Sequence, residues 1–190
     1  MGRPSSARIG PAFDSVLATA QRDAAWAYER LWWAYRAPVA SYLRLQGAFD
    51  PDDLTSEVFL GAFRDIAAFT GSEDQFRGFL FTIAHRRLTD ERRRASVRPQ
   101  WAGGNGAVPD RAGGDVESDA LRQLSEDRVV QLCNRLVAAQ RDVLLLRLVA
   151  DLTVEQVGEA LGKTEGAVKQ LQRRGLANLR EILVRAGVPL

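Results

Sequence analysis

A glycine- and proline-rich stretch divides the chain into two parts. Residues 99–119 contain five glycines and two prolines, and no apolar residue recurs there at a helical or strand spacing. A segment of this composition cannot supply an element of a packed core, so we predict a linker over residues 97–119. The parts on either side, residues 12–96 and 120–187, are then two small domains in a chain of 190 residues.

Both parts show helical periodicity, and neither shows the alternation of a strand. Apolar residues recur at three- and four-residue steps from Leu17 to Tyr35, and we expect Pro38 to kink or break that helix. Asp50, with a proline after it, predicts the start of the next long helix. In the second part, residues 143–149 form a dense apolar run that indicates a buried helix. We therefore predict an all-α fold of two helical domains, each closing its own core.

The composition excludes most kinds of chemical site. A single cysteine, Cys133, excludes a disulfide framework, and a single histidine, His85, excludes a histidine-based metal cage. No glycine-rich phosphate loop occurs either. We expect no catalytic residue, no metal, no cofactor and no small-molecule substrate. No apolar stretch reaches the ~18–20 residues of a membrane span, so we expect a cytoplasmic protein without direct membrane insertion.

The positive charge is concentrated in two places, although the formal net charge is only +2. Residues 85–98 carry six arginines and two acids, and residues 161–185 carry six basic side chains and two acids. Between them, residues 99–119 carry one arginine and four acids. Two separated basic clusters indicate a polyanionic partner, although each alone could be a solvated helix face.

The most specific local pattern is a helix-turn-helix over residues 153–179. Thr153 and Gln156 have the spacing of a capping box at the start of the first helix. Gly162 can adopt the positive φ that a tight turn between helices requires, and Thr164 is the N-cap of the second helix. Val168 is expected to be buried on that second helix, with Leu171 beside it.

The outer face of the second helix is basic and polar. In a helix-turn-helix this face enters the major groove, where Arg and Lys pair with guanine and Gln pairs with adenine. The alternative is a helical hairpin with a solvated basic face. The residues that we expect to contact DNA here are Thr164, Glu165, Lys169, Gln170, Arg173 and Arg174.

Three stretches together resemble the extracytoplasmic-function group of bacterial RNA polymerase sigma factors, which belong to the sigma-70 family. They are Asp50-Pro-Asp-Asp-Leu-Thr-Ser-Glu-Val-Phe-Leu-Gly-Ala-Phe-Arg64, Phe76-Arg-Gly-Phe-Leu-Phe-Thr-Ile-Ala-His85 with the arginines that follow, and Gln140-Arg-Asp-Val-Leu-Leu-Leu-Arg147 with the helix-turn-helix. The resemblance covers roughly residues 12–185. It implies a sigma factor that binds core RNA polymerase and directs it to promoters.

The resemblance also implies roles for particular residues. Residues 12–96 would bind the core enzyme through the clamp helices of its largest subunit, and would recognise and melt the minus-ten element. Residues 120–187 would read the minus-thirty-five element, and the flap of the polymerase is a further expected contact. The implied polymerase-binding residues are Asp52, Asp53, Ser56, Glu57 and Phe59.

The minus-ten element is assigned to the second of the three stretches. Loop 71–75 with Phe76 resembles the loop that captures a base flipped out of the stack, and the helix after it resembles the one lying along that strand. The residues implied to contact this DNA are Ser72, Glu73, Asp74, Phe76, His85, Arg86, Thr89, Arg92, Arg93 and Arg94.

Two further features follow from the resemblance. The acidic linker would thread the polymerase channel that later holds RNA, although its composition equally fits a solubilising spacer, and no role is assigned to Trp101. Relatives are often held inactive by an anti-sigma factor, so an anti-sigma partner is expected, and it could hold the protein at the membrane.

One other function remains open at this level. A stand-alone transcriptional regulator would use the same helix-turn-helix, with the N-terminal helices for sensing or dimerisation. Dependence on core polymerase separates the two hypotheses, because a sigma factor binds promoters tightly only as part of the holoenzyme.

Overall fold

A computed structural model describes residues 8–97 and 128–187, and all regular structure in these two ranges is helical. The predicted linker, including Trp101, lies almost entirely outside them. The α-helices are α1 (Phe13–Ala20), α2 (Ala25–Leu45), α3 (Pro51–Asp65), α4 (Glu73–Val97), α5 (described over residues 128–134), α6 (Ala138–Leu148), α7 (Val154–Leu161) and α8 (Glu165–Arg185). The predicted all-α fold is confirmed.

The helix boundaries that depend on local hydrogen bonds lie where the sequence predicts them. The Asp50 carboxylate accepts hydrogen bonds from the amides of Asp52 and Asp53 at the start of α3. Thr153 and Gln156 form the reciprocal capping box of α7. Gly162 ends α7 with φ at 62°, a left-handed conformation that favours glycine.

Pro38 does not break α2, so the predicted break is wrong, and a kink at this residue stays a prediction. The helix runs through it from Ala25 to Leu45. Proline removes one backbone hydrogen bond, but Tyr35 and Val39 on either side of it are fully buried, and this packing outweighs the loss. The predicted single stripe is interrupted earlier, between α1 and α2, where Asp23 has φ at 64°.

The first half has an aromatic core between α1, α2 and α4. Phe76 is at its centre and is fully buried. Its ring centroid lies 5.7 Å from that of Phe13, 5.6 Å from that of Tyr35 and 5.4 Å from that of Phe69. These tilted and edge-on contacts are the arrangements that aromatic rings prefer, and they fix the start of α4 against α1 and α2.

The second half is built around the dense apolar run of α6. Val143 and Leu146 are fully buried and Leu144 is nearly so. Helix α8 crosses α6 closely at Gly175, where an added Cβ would lie 3.0 Å from a Leu144 methyl carbon. Helix α7 packs on both, which completes the helix-turn-helix.

The two halves share their main core, and only a smaller cluster of Leu136, Leu144 and Ile182 lies apart from it in the second half. One continuous cluster of buried apolar residues extends from the first half through α4 into α6, α7 and α8, and it includes Leu152, Val157 and Val168. The expectation of one core per domain is therefore wrong, and the domain boundaries themselves stay a prediction. Over the described ranges, no helix is both long and apolar enough to cross a membrane.

The backbone of the turn between α7 and α8 lies so close to Gly158 that it leads to a stability prediction. A Cβ at Gly158 would lie 2.7 Å from the Lys163 carbonyl oxygen, and a backbone atom cannot move aside without opening the turn. Gly158→Ala should therefore lower the free energy of unfolding by about 1–3 kcal/mol, measured by denaturant unfolding. An alanine that proved neutral at this position would contradict the packing.

Gly166→Ala is the matched control. Nothing lies within 4 Å of a Cβ at Gly166, so this variant should be unchanged or more stable by about 0.5–1 kcal/mol, because alanine favours a helix over glycine.

Candidate nucleic-acid interface

The outer face of α8 carries exposed basic and polar side chains. Thr164 caps the helix by accepting a hydrogen bond from the Ala167 amide at 3.3 Å, and Val168 is fully buried. These two constraints fix the rotation of the helix. All six residues predicted to contact DNA here are exposed, namely Thr164, Glu165, Lys169, Gln170, Arg173 and Arg174.

One ion pair lies on this face. The Lys169 ammonium is 2.9 Å from the Glu165 carboxylate one turn earlier, and both side chains are exposed. Such a pair contributes little to stability. Lys169 is therefore available to a stronger anionic partner.

The outer face of α3 is acidic and carries one large apolar side chain. Ser56 is exposed and donates a hydrogen bond to the Asp52 carbonyl at 3.1 Å. The Glu57 carboxylate lies 3.6 Å from the Arg87 guanidinium of α4. Leu60 is 67% exposed, one turn after Ser56. Leu60 follows Asp53 and Ser56 at three- and four-residue steps, and this spacing was the signal in the sequence for its place on this surface, which the residue predictions above did not include.

Phe59 does not belong to this surface. It is 1% exposed, and its ring packs edge-on against Trp32 at a centroid distance of 4.7 Å. The prediction that Phe59 contacts the polymerase is wrong, because the period of α3 turns this position towards α2.

The loop before α4 is held by its own side chains. Ser72 and Gln75 exchange hydrogen bonds in the manner of a capping box, with Gln75 accepting from the Ser72 amide at 2.8 Å. The Glu73 carboxylate accepts hydrogen bonds from the Ile9 and Gly10 amides at 2.6 Å and 3.0 Å. It also accepts one from the Tyr35 hydroxyl at 2.6 Å. Glu73 therefore ties the N-terminal segment to α4.

Phe76 is a core residue and not a surface for base stacking. Its side chain is fully buried among Phe13, Tyr35 and Phe69, so the prediction that this ring contacts an unpaired base is wrong. Of the residues predicted in this loop, Ser72 and Asp74 are the exposed ones.

The remaining minus-ten candidates lie on two sides of α4. Arg86, Thr89, Arg93 and Arg94 are exposed, and the first three follow one another at three- and four-residue steps along one face. Arg93 lies 3.5 Å from the Asp90 carboxylate. This face is open to solvent and is basic.

His85 and Arg92 lie on the adjacent face of α4, which is turned towards α2, in a half-buried polar network. The His85 Nδ1 is 3.0 Å from the Tyr42 hydroxyl, and Arg92 donates hydrogen bonds to the carbonyl and side-chain oxygens of Gln46. Burial lowers the pKa of His85, against the opposing effect of Asp142 and with the help of Arg92. Both candidates therefore hold α4 against α2.

A set of contacts between the two halves escaped the sequence analysis. The Arg77 guanidinium donates a hydrogen bond to the Ala150 carbonyl, and the Gln156 amide group donates one to the Asp74 carbonyl at 2.8 Å. The Gln46 amide group donates one to the Asp142 carboxylate at 2.9 Å. In the sequence, the only indication of these contacts was the charged Arg77 within an otherwise apolar run.

Two family descriptions match the chain in the order in which these surfaces occur. "Sigma-70 region 2" matches residues 31–98, which hold α3 and α4, and "Sigma-70, region 4" matches residues 134–181, which hold the helix-turn-helix. The residues of the two candidate DNA-binding helices, α4 and α8, thus fall largely within separate matched regions.

Curated relatives cover almost the whole chain. "ECF RNA polymerase sigma factor BldN" of Streptomyces coelicolor is 30% identical over 183 residues, which are 95% of this chain and 69% of that protein. "ECF RNA polymerase sigma factor SigD" of Mycobacterium tuberculosis is 29% identical over 192 residues, 97% of this chain and 90% of that protein. The solved structure of CnrH in complex with the cytosolic domain of CnrY is similar in fold. Its TM-score is 0.68 at 21% identity, with 92% of this chain and 98% of CnrH covered.

The network around His85 predicts a pH dependence of stability. The charged and titratable groups facing His85 are Tyr42, Asp142 and Arg92. Because the folded pKa lies below the ordinary value of 6.5, the unfolded chain binds the proton more readily. The stabilisation that neutral His85 gives to the folded state is present above pH 6.5 and is lost as the pH falls through the folded pKa.

Denaturant unfolding of the wild type and of His85→Gln between about pH 5 and pH 8 measures this effect. The difference in the free energy of unfolding between the two proteins should shrink towards the acid end. Carboxylate titration cancels in the difference, and two curves that stay parallel would show that His85 has no such coupling.

Proposed function

The chain belongs to the extracytoplasmic-function group of sigma-70 RNA polymerase sigma factors, and from that premise we propose which of its surfaces bind the polymerase and the promoter. As a sigma factor it directs RNA polymerase to promoters and initiates transcription. The observation that supports the assignment best is the exposed basic face of α8, presented by a capped helix-turn-helix inside the region 4 match.

Helix α3 is the surface for core polymerase. Asp52, Asp53, Ser56 and Glu57 form an outward acidic face with Leu60 one turn further on. Acidic groups around an exposed apolar side chain suit a partner helix that is basic around an apolar centre, because charge steers the encounter and apolar burial holds the complex. The clamp helices of the largest subunit are that partner, and the flap is a second contact for residues 120–187.

Helix α4 contacts the minus-ten element through its outer face. Arg86, Thr89, Arg93 and Arg94 are exposed along it, and Ser72 and Asp74 are exposed in the loop at its start. The arginines bind phosphates and the loop borders the unpaired base. Phe76, buried in the core, shapes this loop from beneath and does not touch DNA.

Helix α8 reads the minus-thirty-five element in the major groove. Lys169, Gln170, Arg173 and Arg174 present donors that suit base edges and phosphates, and Thr164 and Glu165 lie at the helix start. A stand-alone regulator would also use such a helix, but it would not need an acidic polymerase-binding surface.

The chain acts in the cytoplasm as a specificity subunit and leaves catalysis to the core enzyme. It needs no cofactor, metal or small-molecule substrate. An anti-sigma factor is its regulatory partner, which is in keeping with the CnrY-bound state of the structural relative CnrH. Such a factor could hold the chain at the membrane.

Transcription in vitro tests the function and the acidic surface together. The purified chain should give promoter-specific transcripts only with core polymerase. Asp53→Lys with Glu57→Lys should weaken core binding at least about tenfold, or about 1.4 kcal/mol, in a quantitative pull-down.

The matched control reverses two exposed acids elsewhere, Asp14→Lys with Glu29→Lys, and should bind core normally. Circular dichroism must show equal helicity for all three proteins, since Asp53 also favours the start of α3. Equal core affinity of the two double variants would remove α3 from the interface, and transcripts formed without core would refute the sigma-factor function.

Promoter selection tests the reading face of α8. Arg173→Ala or Lys169→Ala should cost about 1–3 kcal/mol on promoters whose upstream element carries the contacted base, and less on others. The measurement is the affinity of the holoenzyme for a library randomised upstream. Arg185→Ala, at the far end of α8 and ion-paired with Glu181, is the control. An unchanged preferred upstream sequence in both test variants would place the reading face elsewhere.

A further inference from the structure

We propose that the N-terminal segment, residues 8–12, is a positioning element of the minus-ten site. The Glu73 carboxylate fastens the backbone of this segment to the start of α4, and the fastened segment fixes the loop that borders the unpaired base. Glu73 is then a positioning residue rather than the DNA contact that its place in the loop predicts. This inference rests on the proposed function, which assigns loop 71–75 to the minus-ten element.

Two consecutive backbone amides of the segment converge on Glu73. The Ile9 amide donates to one carboxylate oxygen at 2.6 Å, and the Gly10 amide donates to the other at 3.0 Å. The Tyr35 hydroxyl of α2 donates to the first oxygen at 2.6 Å. Burial and the Glu73 carboxylate raise the pKa of Tyr35, so its hydroxyl keeps the proton that it donates. One carboxylate therefore joins the segment and α2 to the first residue of α4.

A turn at Gly10 aims these amides. Ile9 has a right-handed conformation, with φ at −79°, and Gly10 has a left-handed one, with φ at 72°. The successive amides of such a pair form a concavity for an anion. Ile9 and Phe13 are buried on either side of the turn, and the Phe13 ring lies 5.7 Å from that of Phe76 beneath the loop. A shift of this backbone would therefore move the start of α4.

The segment also changes the charge of the loop surface. The Arg8 guanidinium lies 2.8 Å from the Asp74 carboxylate and 3.3 Å from that of Asp151. Asp74 is exposed in the loop that borders DNA, where its charge alone would repel phosphates. The exposed pair adds little stability, but it makes the potential next to the DNA less negative. The segment thus acts on the loop through backbone position and, separately, through charge.

Base selectivity measures the effect of position. Holoenzyme formed from the full-length chain and core polymerase selects from a single-stranded DNA library randomised over the minus-ten element. The ratio of enrichment between the most and the least preferred base is read at the most selective position. Glu73→Gln removes the charge that both amides share and should lower this ratio at least about fivefold. A purely structural role would lower the melting temperature of the variant and leave the ratio unchanged.

Gly10→Ala disturbs the segment without touching Glu73. A Cβ at Gly10 would meet no atom within 4 Å, so the change acts only through the strain that φ at 72° imposes on alanine. The ratio should fall at least about threefold. Gly187→Ala is the matched control, because Gly187 has φ at 70° and equally open surroundings just after α8. It should leave the ratio unchanged, and an equal loss in this control would contradict a local effect.

Two further variants separate the fastened backbone from its neighbours. Tyr35→Phe removes the hydroxyl that binds Glu73 but keeps the ring and both amide hydrogen bonds, so most of the selectivity should remain. Arg8→Ala removes charge alone and should weaken binding about equally for all library sequences, with the ratio preserved. Arg22→Ala, at an exposed position just after α1, is the control for charge and should change neither quantity.

Results of two kinds would overturn the inference. One is an unchanged ratio in Glu73→Gln and Gly10→Ala, and if Glu73→Gln does not fold, Gly10→Ala alone decides. The other is a loss in Tyr35→Phe or Arg8→Ala as large as that in Gly10→Ala, which would place the positioning outside the fastened backbone. A wild-type holoenzyme without any base preference would instead contradict the proposed function of loop 71–75, and the inference would fall with it.

Discussion

The packing of α4 on two sides is the constraint on which the rest of the structure depends. Towards α2 and α3 the helix buries Phe76, Leu80 and Leu88 completely. Towards the second half it presents Gly78, next to α7, and Arg77, next to the residues just before α7. Shortening any of the large buried side chains would cost about 2–5 kcal/mol. Because one helix serves both packings, the position of the C-terminal half is coupled to the element that we assign to the minus-ten DNA.

Some charged side chains of the molecule are exposed and others are buried, and the two groups have different roles. The acids of α3 and the bases of α8 lie at the surface, where they can steer an encounter but contribute little to stability. Arg77 is buried, and burial lowers its pKa. Its guanidinium donates a hydrogen bond to the Ala150 carbonyl and lies 3.8 Å from the Asp151 carboxylate, so it joins the two halves of the chain. The exposed charges are therefore free to meet a partner, whereas the buried one contributes to the packing of the two halves.

Helical geometry explains why the arginine-rich end of α4 has two roles. Residues Arg86, Thr89 and Arg93 share the outer face, whereas His85 and Arg92, seven positions apart, share the face turned to α2. The inner pair joins Tyr42 and Gln46 in a polar network that reaches Asp142 of the second half. The outer face is left as the basic surface, and the inner face fixes how that surface is oriented.

Local sequence determined the helices, their caps and which face of α8 is exposed. Asp50, Thr153 and Thr164 act through hydrogen bonds to amides two or three residues away, and Gly162 acts through its own φ. Such interactions are readable from spacing alone. The resemblance to the sigma-70 family was visible for the same reason, since its motifs are contiguous stretches.

Tertiary structure alone decided which residues of those motifs reach the surface. Phe59 and Phe76 sit in motifs associated with binding, but their rings contact aromatic residues far away in the chain and are buried. Pro38 remained inside a helix whose residues Tyr35 and Val39, on either side of it, are buried in the core. The pairing of Arg77 with Ala150 joins positions 73 residues apart, and no local pattern carries information on a contact that exists only once both halves of the chain have packed.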